Sequence, residues 1–383
     1  MRESMKRLVF VSLLAVVVFG LAVSVIVAQP EQGAPRKIVV FQEGFVNEPA
    51  QQVLIERLGG VVIKPLPLVN GMAVLLPPRA LDALGLRPEV LRVEDDAVVV
   101  ALAKPPKPPP SQLPETLSWG VDRIDAEYAW PSGYTGAGVK VAVVDTGIDL
   151  DHPDLMANIK GQVNCINPSK TGDDDNGHGT HVAGIVAAID NDIGVIGVAP
   201  QAELYAVKVL SRRGSGFVSD IIEGITWCIN NGMDIINMSL GTDTDIQSLH
   251  DACDEAAAAG LLLVAAAGND GGAVDYPGAY DSVIAVAATD SSDNRASWSS
   301  FGIEMDIAAP GVEIYSTWKG GGYATASGTS MAAPHVAGTL ALNLSANICA
   351  TADDLGASGW DIYTGCGLVD AEQAAIGTES GDN

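Results

Sequence analysis

Positive charge is scarce in this sequence. Its 383 residues carry 21 Lys and Arg against 47 Asp and Glu, a net of −26. A chain so acidic repels phosphate backbones, which excludes a nucleic-acid partner. Charged residues make up only 18%, while apolar ones are 48%. That balance excludes a mainly disordered chain and leaves ample material for a core. No long apolar run follows residue 28, so nothing beyond that point reads as a membrane-spanning helix. Cysteines number five, none in a C-x-x-C spacing, so no zinc site is read from them. H-E-x-x-H is missing as well.

The N-terminus does carry an apolar run. Arg2, Lys6 and Arg7 precede Leu8–Ala28, which is apolar apart from Ser12 and Ser24 and ends before Gln29-Pro30. A basic start, an apolar stretch and a closing small residue read as a secretory signal peptide over 1–28, cleaved near Ala28. A stretch of this length also suits a bilayer, so an uncleaved membrane anchor remains the competing reading. Export makes the protein secreted, hence extracellular, and permits disulfides. Five is odd, so at least one cysteine is free or paired outside the chain. Cys349 and Cys366 close a short loop and are the preferred pair. Cys165, Cys228 and Cys253 read as small buried apolar residues.

The charge divides the chain. Residues 1–114 hold 12 basic and 10 acidic side chains, net +2, whereas 115–383 hold 9 and 37, net −28. At about 150 residues per domain, two to three units are expected. Residues 31–103 read as a small α+β unit. Strands are expected at Lys37–Phe41, Gly60–Leu66 and Met72–Leu76, with Val90–Leu102 closing the sheet. Helices are expected at Glu48–Leu58 and Pro78–Leu84. The proline run in residues 104–114 is an extended linker. From 115 to 383 apolar runs alternate with helical stretches. The runs are Val139–Val144, Leu204–Val209, Ile235–Met238, Leu261–Ala266 and Val283–Ala287. The helices are His181–Ile189, Val218–Asn230, Ile246–Ala259 and Met331–Leu344. Such alternation predicts a doubly wound, mostly parallel α/β sheet. Its chemistry should collect at the carboxyl ends of the strands.

Four residues stand at those ends. Asp145 closes a strand in Val-Val-Asp-Thr-Gly. His178 opens a helix in Asn-Gly-His-Gly-Thr-His. Ser330 enters a helix after Gly-Thr, where free backbone N–H groups gather. Asn269 ends Ala-Ala-Ala-Gly-Asn, and its amide can donate to an oxyanion. Each alone reads equally as a turn or cap residue. His178 and His181, three apart, would also suit a metal, but no third ligand follows. Together the four supply a carboxylate, an imidazole, a hydroxyl and an oxyanion donor, the set for acyl transfer.

Asp145-Thr-Gly, His178-Gly-Thr-His-Val-Ala-Gly and Gly328-Thr-Ser330-Met-Ala, in this order, resemble the subtilisin-like serine proteases. The resemblance runs from Trp119 to Gly338 and again from Thr351 to Ala375. It implies Ser330 as nucleophile, His178 as general base and then acid, and Asp145 as the group that orients it. Asn269 and the Ser330 N–H would form the oxyanion hole. His152, His181, His250 and His335 are expected to be structural. The unit at 31–103 resembles the family's propeptide, which implies a self-processing zymogen with the propeptide as intramolecular inhibitor.

The resemblance also implies protein or peptide substrates, paired by backbone with Ser239-Leu240-Gly241 on one side and Gly214-Ser215-Gly216 on the other. Asp275 lies near the floor of the main specificity pocket, where an acid favours Lys or Arg before the cut; a solvated loop position is the alternative. A structural calcium ion is implied at Asp154, Ile189, Asn191, Ile193, Val195 and Glu115. Asp173-Asp174-Asp175-Asn176 reads as a second cation site or an exposed acidic loop. A monomer is implied. One departure is visible: a helix that the family runs after the serine helix is cut short, since Ala341 reaches Cys349 within a few residues. A non-catalytic binding protein on the same scaffold is therefore the rival reading, and a membrane-anchored processing protease the other.

Overall fold

Ile38 to Phe41 offers no polar residue to turn outward, and the computed structural model buries both sides of it. The structure describes residues 34–44, 46–103 and 114–377. The expected signal segment and most of the proline-rich linker lie outside them. Strand β1 (Arg36–Phe41) is an inner strand of a four-stranded antiparallel sheet with β2 (Val61–Leu66), β3 (Gly71–Leu75) and β4 (Val90–Asp95), in the order β2-β3-β1-β4. Helices α1 (Glu48–Arg57) and α2 (Pro78–Gly85) cover one face. Val39 and Phe41 pack there with Ile55, Val74 and Leu84. Ile38 and Val40 point the other way and join the core of the large domain. A strand buried on two sides needs an unbroken apolar run, which is what the sequence has.

Val90–Leu102 does not form the single strand that the sequence suggests. β4 ends at Asp95, and Val98–Ala101 forms a separate strand, β5, that leaves the sheet for the large domain. The break has a physical cause. The buried Asp96 carboxylate pairs with Arg36 at 2.8 Å and accepts from the Ser219 N–H and hydroxyl, each at 2.9 Å. Ser219 lies in the first turn of a large-domain helix, whose N–H groups have no partner within the helix. Asp96 therefore caps a helix of the other unit and turns the chain aside. Lys64 reaches the same helix, bonding Asp220 at 2.5 Å and Glu223 at 2.6 Å.

The large domain is built on seven parallel strands: β6 (Lys140–Asp145), β7 (Ile159–Asn164), β8 (Glu203–Lys208), β10 (Ile235–Met238), β12 (Leu262–Ala266), β13 (Ile284–Thr289) and β14 (Ile307–Pro310). Their order is β14-β13-β12-β10-β6-β8-β7, so the sheet turns back on itself at β6. Helices α3 (His178–Ala187) and α6 (Thr329–Leu342) pack on one face, α4 (Val218–Asn230) and α5 (Gln247–Ala258) on the other. The short strands β9 (Ser215–Phe217) and β11 (Leu240–Gly241) flank β5. β7 and β14 were not evident as apolar runs, since β7 reads IKGQVN and alternates.

Helix α6 is buried along its whole length, which an apolar stretch with no polar face requires. Among the described residues, one short helix, α7 (Ala371–Ile376), follows it. Cys349 and Cys366 are disulfide-bonded with Cα atoms 5.3 Å apart, while Cys165, Cys228 and Cys253 are free and buried. The shortened segment after α6 is thus closed covalently.

Asp96→Ala should cost the uncut chain about 2 kcal/mol, since it removes a cap and the ion pair of Arg36. Denaturant unfolding checks this; an unchanged midpoint would contradict the capping role.

Candidate active site

Six consecutive residues of β6 run through the sheet, five of them fully buried, and the last is Asp145. Helix α3 must come very close to place an imidazole against it. Gly177 opens the turn at φ +117°, with the Trp318 ring filling the space a side chain would need. A Cβ on Gly179 would stand 2.1 Å from the Gly147 carbonyl oxygen. These two glycines are what let His178 Nδ1 lie 2.8 and 2.9 Å from the two Asp145 oxygens. The Thr146 N–H also donates to Asp145, at 2.6 Å.

Burial works against a charged imidazole here. The Asp145 charge, the hydrogen bond to it and the nearby Asp174 charge outweigh that, and raise His178 above the ordinary histidine range. His178 Nε2 is buried and has no hydrogen-bond partner among the described residues. The Ser330 hydroxyl donates instead to the Ser239 carbonyl, at 2.9 Å.

Asp174 is the residue whose place the sequence did not reveal. It is not part of an exposed acidic loop or a free metal ligand. It is buried, and accepts from Thr146 Oγ1 at 2.9 Å, Thr180 Oγ1 at 2.6 Å and the N–H groups of Asn176, Gly177 and Thr180. It ties the Asp145 loop to the start of α3. Asp175 pairs with Lys208 at 2.7 Å. The remaining histidines are occupied elsewhere. His181 faces the Ile314 and Ala324 carbonyls and His335 the Met331 carbonyl; burial pushes them down to about 3 and about 4. His152 faces the Gly322 carbonyl, and His250 stacks on Tyr280.

The oxygen of the Asn269 amide accepts from the Thr329 N–H at 2.9 Å and the Thr329 hydroxyl at 3.0 Å. That leaves Nδ2 free to face Gly328. A Cβ on Gly328 would stand 3.3 Å from Asn269 Nδ2 and 2.3 Å from the Leu102 carbonyl oxygen. Leu102 belongs to the N-terminal unit, and its carbonyl accepts from the Ser330 N–H at 3.2 Å.

The chain thus fills this cleft with its own extended segment. β5 lies antiparallel between β9 and β11, with Ser215 opposite Val100, Gly216 opposite Val99, and Leu240 opposite Ala101. The Ala101 N–H donates to the Gly214 carbonyl at 2.9 Å, and the Leu102 N–H to Ser239 at 3.3 Å. All six residues expected to pair an extended peptide, Gly214 to Gly216 and Ser239 to Gly241, are brought together. Asp275 lies beside them, half-buried against Gly241 and Gly268. A cavity of about 430 Å³ lies beside Val100, Ala101 and Ala103, lined also by Asn176, His178 and Trp318.

The residues expected around a cation also converge. Asp154 accepts from the Asn191 amide at 3.1 Å, the Val195 N–H at 3.1 Å and the Tyr323 hydroxyl at 3.2 Å. Glu115 accepts from the Asn191 N–H at 2.7 Å. The loop from Ile189 to Val195, including Ile193, curls round the Asp154 carboxylate. Among the described residues, no Lys or Arg pairs with Asp154 or Glu115. No group of three or more His, Cys, Asp or Glu there forms a metal cluster.

Comparison with known proteins gives a consistent picture. The model of the Subtilase family matches residues 136–357. An alkaline protease of Alkalihalobacillus alcalophilus is 46% identical over 315 residues, 79% of this chain and 78% of the relative. Subtilisin E of Bacillus subtilis (strain 168) is 45% identical over 340 residues, 84% and 85% of the two chains. Alkaline elastase YaB of Bacillus sp. (strain YaB) is 38% identical over 383 residues, 93% and 96%.

The raised His178 pKa carries a prediction. The imidazolium should persist above the ordinary value of about 6.5 and be lost as pH rises through the raised one. In Asp145→Asn, burial acts with less opposition and the value should fall. Histidine NMR titration reads both; a parent His178 at or below the ordinary value would contradict the pairing.

Proposed function

This chain belongs to the Subtilase family, whose members are serine endopeptidases, and from that membership we propose that it is an exported zymogen cut by its own Ser330. The observation that carries the reading is the Leu102 carbonyl on the Ser330 N–H, at the end of a strand paired on both sides. That is the geometry of a substrate, or of a product still in place.

The chemistry follows from the atoms at hand. Ser330 Oγ leaves the Ser239 carbonyl, passes its proton to His178 Nε2 and bonds the Leu102 carbonyl carbon. The negative oxygen so formed is held by the Ser330 N–H and by Asn269 Nδ2. Asp145 keeps the other ring proton on Nδ1 and stabilises the imidazolium. His178 then gives its proton to the Ala103 nitrogen, the C–N bond breaks, and Leu102 remains as an ester on Ser330. Water, losing a proton to His178, hydrolyses the ester and restores the serine. The cut N-terminal unit keeps its pairing in the cleft and acts as an intramolecular inhibitor until it leaves. Protein and peptide substrates then use the same two strand edges, whose backbone pairing tolerates many sequences.

Calcium is the cation that best suits the loop at 189–195. Asp154, Asn191 and Glu115 with the carbonyls of Ile189, Ile193 and Val195 would hold it. The fit rests on two carboxylates without a cation partner among the described residues, one of them buried, and on an all-oxygen donor set. The ion would supply stability to the loop and takes no part in the reaction. Residues 1–28 direct export, and the Cys349–Cys366 bridge suits an oxidising compartment. The full burial of α6 supports the active reading over an inactive scaffold, because the serine's helix keeps its packing without a later helix.

In the chain expressed from residue 31, the parent should shorten while Ser330→Ala stays whole. Asn269→Ala should slow self-cutting by about 10²–10³, a magnitude transferred from a subtilisin. Chelation should lower the melting temperature of the processed protein, and added calcium should restore it. A folded, calcium-binding parent that remains uncut would return the reading to an inactive scaffold.

A further inference from the structure

The side chain of Leu102 shows where the residue before the cut is received. Its Cδ1 comes within 2.8 Å of where a Cβ on Gly241 would stand, and Asp275 Cβ within 2.9 Å and Oδ2 within 3.2 Å of the same point. On the opposite wall, a Cβ on Gly268 would stand 2.9 Å from Asp275 Oδ2. Two glycines thus leave the pocket open, and Asp275 stands in it beside the leucine methyls. Three carboxylates buried elsewhere in this protein are matched by donors: Asp96 by Arg36 and Ser219, Asp220 by Lys64, Asp174 by two threonines. Among the described residues, nothing donates to the Asp275 carboxylate and no cation pairs with it.

We propose that Asp275 selects protein and peptide substrates with Lys or Arg immediately before the cut bond, and that the leucine the chain presents to itself is a mismatched occupant. The inference rests on the proteolytic reading above and deepens it. A half-buried carboxylate with no partner is costly, and a leucine beside it adds burial without adding a donor. A lysine in the same place carries its ammonium two atoms beyond the position of the leucine methyls, toward the acid, and an arginine adds a forked donor. Burial together with the charges of Asp270 and Asp243 lifts the Asp275 carboxyl to about 6, so it is ionised at alkaline pH. Those neighbours, from the loops after β12 and β11, add negative potential at the same pocket. The net −28 of residues 115–383 draws cationic peptides to it.

Self-cutting tolerates the mismatch because the tail is tethered. Its pairing with β9 and β11 holds Leu102 in place at high effective concentration, so the side chain need not contribute affinity. After the cut the same mismatch speeds release of the N-terminal unit.

The test uses the processed enzyme and peptides that differ only at the residue before the cut, at alkaline pH. A charge-assisted hydrogen bond is worth about 10- to 100-fold in kcat/KM, and Lys and Arg peptides should exceed Leu and Phe peptides by that factor. Asp275→Asn, nearly equal in volume, should abolish the preference. In the full chain, Leu102→Lys should delay the appearance of activity on added peptide by about tenfold or more, because the cut unit leaves more slowly; this arm needs no change in the pocket. A parent that prefers Leu or Phe, or treats all four alike, overturns the inference while leaving the proteolytic reading intact. A folded, processed parent that cuts none of the peptides overturns that reading and the inference with it.

Discussion

Two strand edges on the large domain, Ser215–Phe217 and Leu240–Gly241, leave a gap one strand wide, and Val98–Ala101 fills it from both sides. The rest of the arrangement depends on that pairing. Strand edges left open carry unpaired N–H and C=O groups and invite another chain. Here the chain meets its own edges. The pairing fixes the register of the tail, and the register sets Leu102 against Ser330 N–H rather than a neighbour one residue away, whose side chain would face the other way. It also joins the two units, together with Asp96 on Ser219 and Lys64 on Asp220.

Carboxylates divide the labour in this acidic protein according to what surrounds each of them. Asp145 is buried against an imidazole and a backbone N–H. Asp174 is buried among hydroxyls and amides, and holds the Asp145 loop and the start of α3 together. Asp154 sits within an oxygen-rich loop, and Asp275 faces an open pocket with no donor among the described residues. The first two are enclosed by the fold and used within it. The last two are where the readings proposed above place a cation from outside, a metal ion in one case and a substrate side chain in the other.

Much of this was legible in the sequence. The apolar run ending at Asp145, the glycines around His178 and the Gly-Thr before Ser330 encode local geometry, and local geometry is what a sequence carries most directly. The apolar run in Lys37–Phe41 marked a strand, though its burial on both faces was seen only in the structure. The break between Asp95 and Val98 was not legible, because Asp96 acts on Arg36 and Ser219, and its partner Ser219 lies 123 residues away in the chain. Asp174 resembled its exposed neighbours Asp173 and Asp175, since only tertiary packing tells a buried carboxylate from a solvated one. The alternating β7 gave no apolar run to mark it. The Ser330 hydroxyl bonding Ser239 rather than His178 is a rotamer choice that residue types do not disclose.

The central claim is that the tail in the cleft is aligned for cutting between Leu102 and Ala103. Intact mass of the first fragments formed by the full chain tests it most directly. The account predicts an N-terminal fragment ending at Leu102 and a large fragment beginning at Ala103. A first cut inside the proline-rich segment at 104–114, or upstream of Leu102, would contradict it.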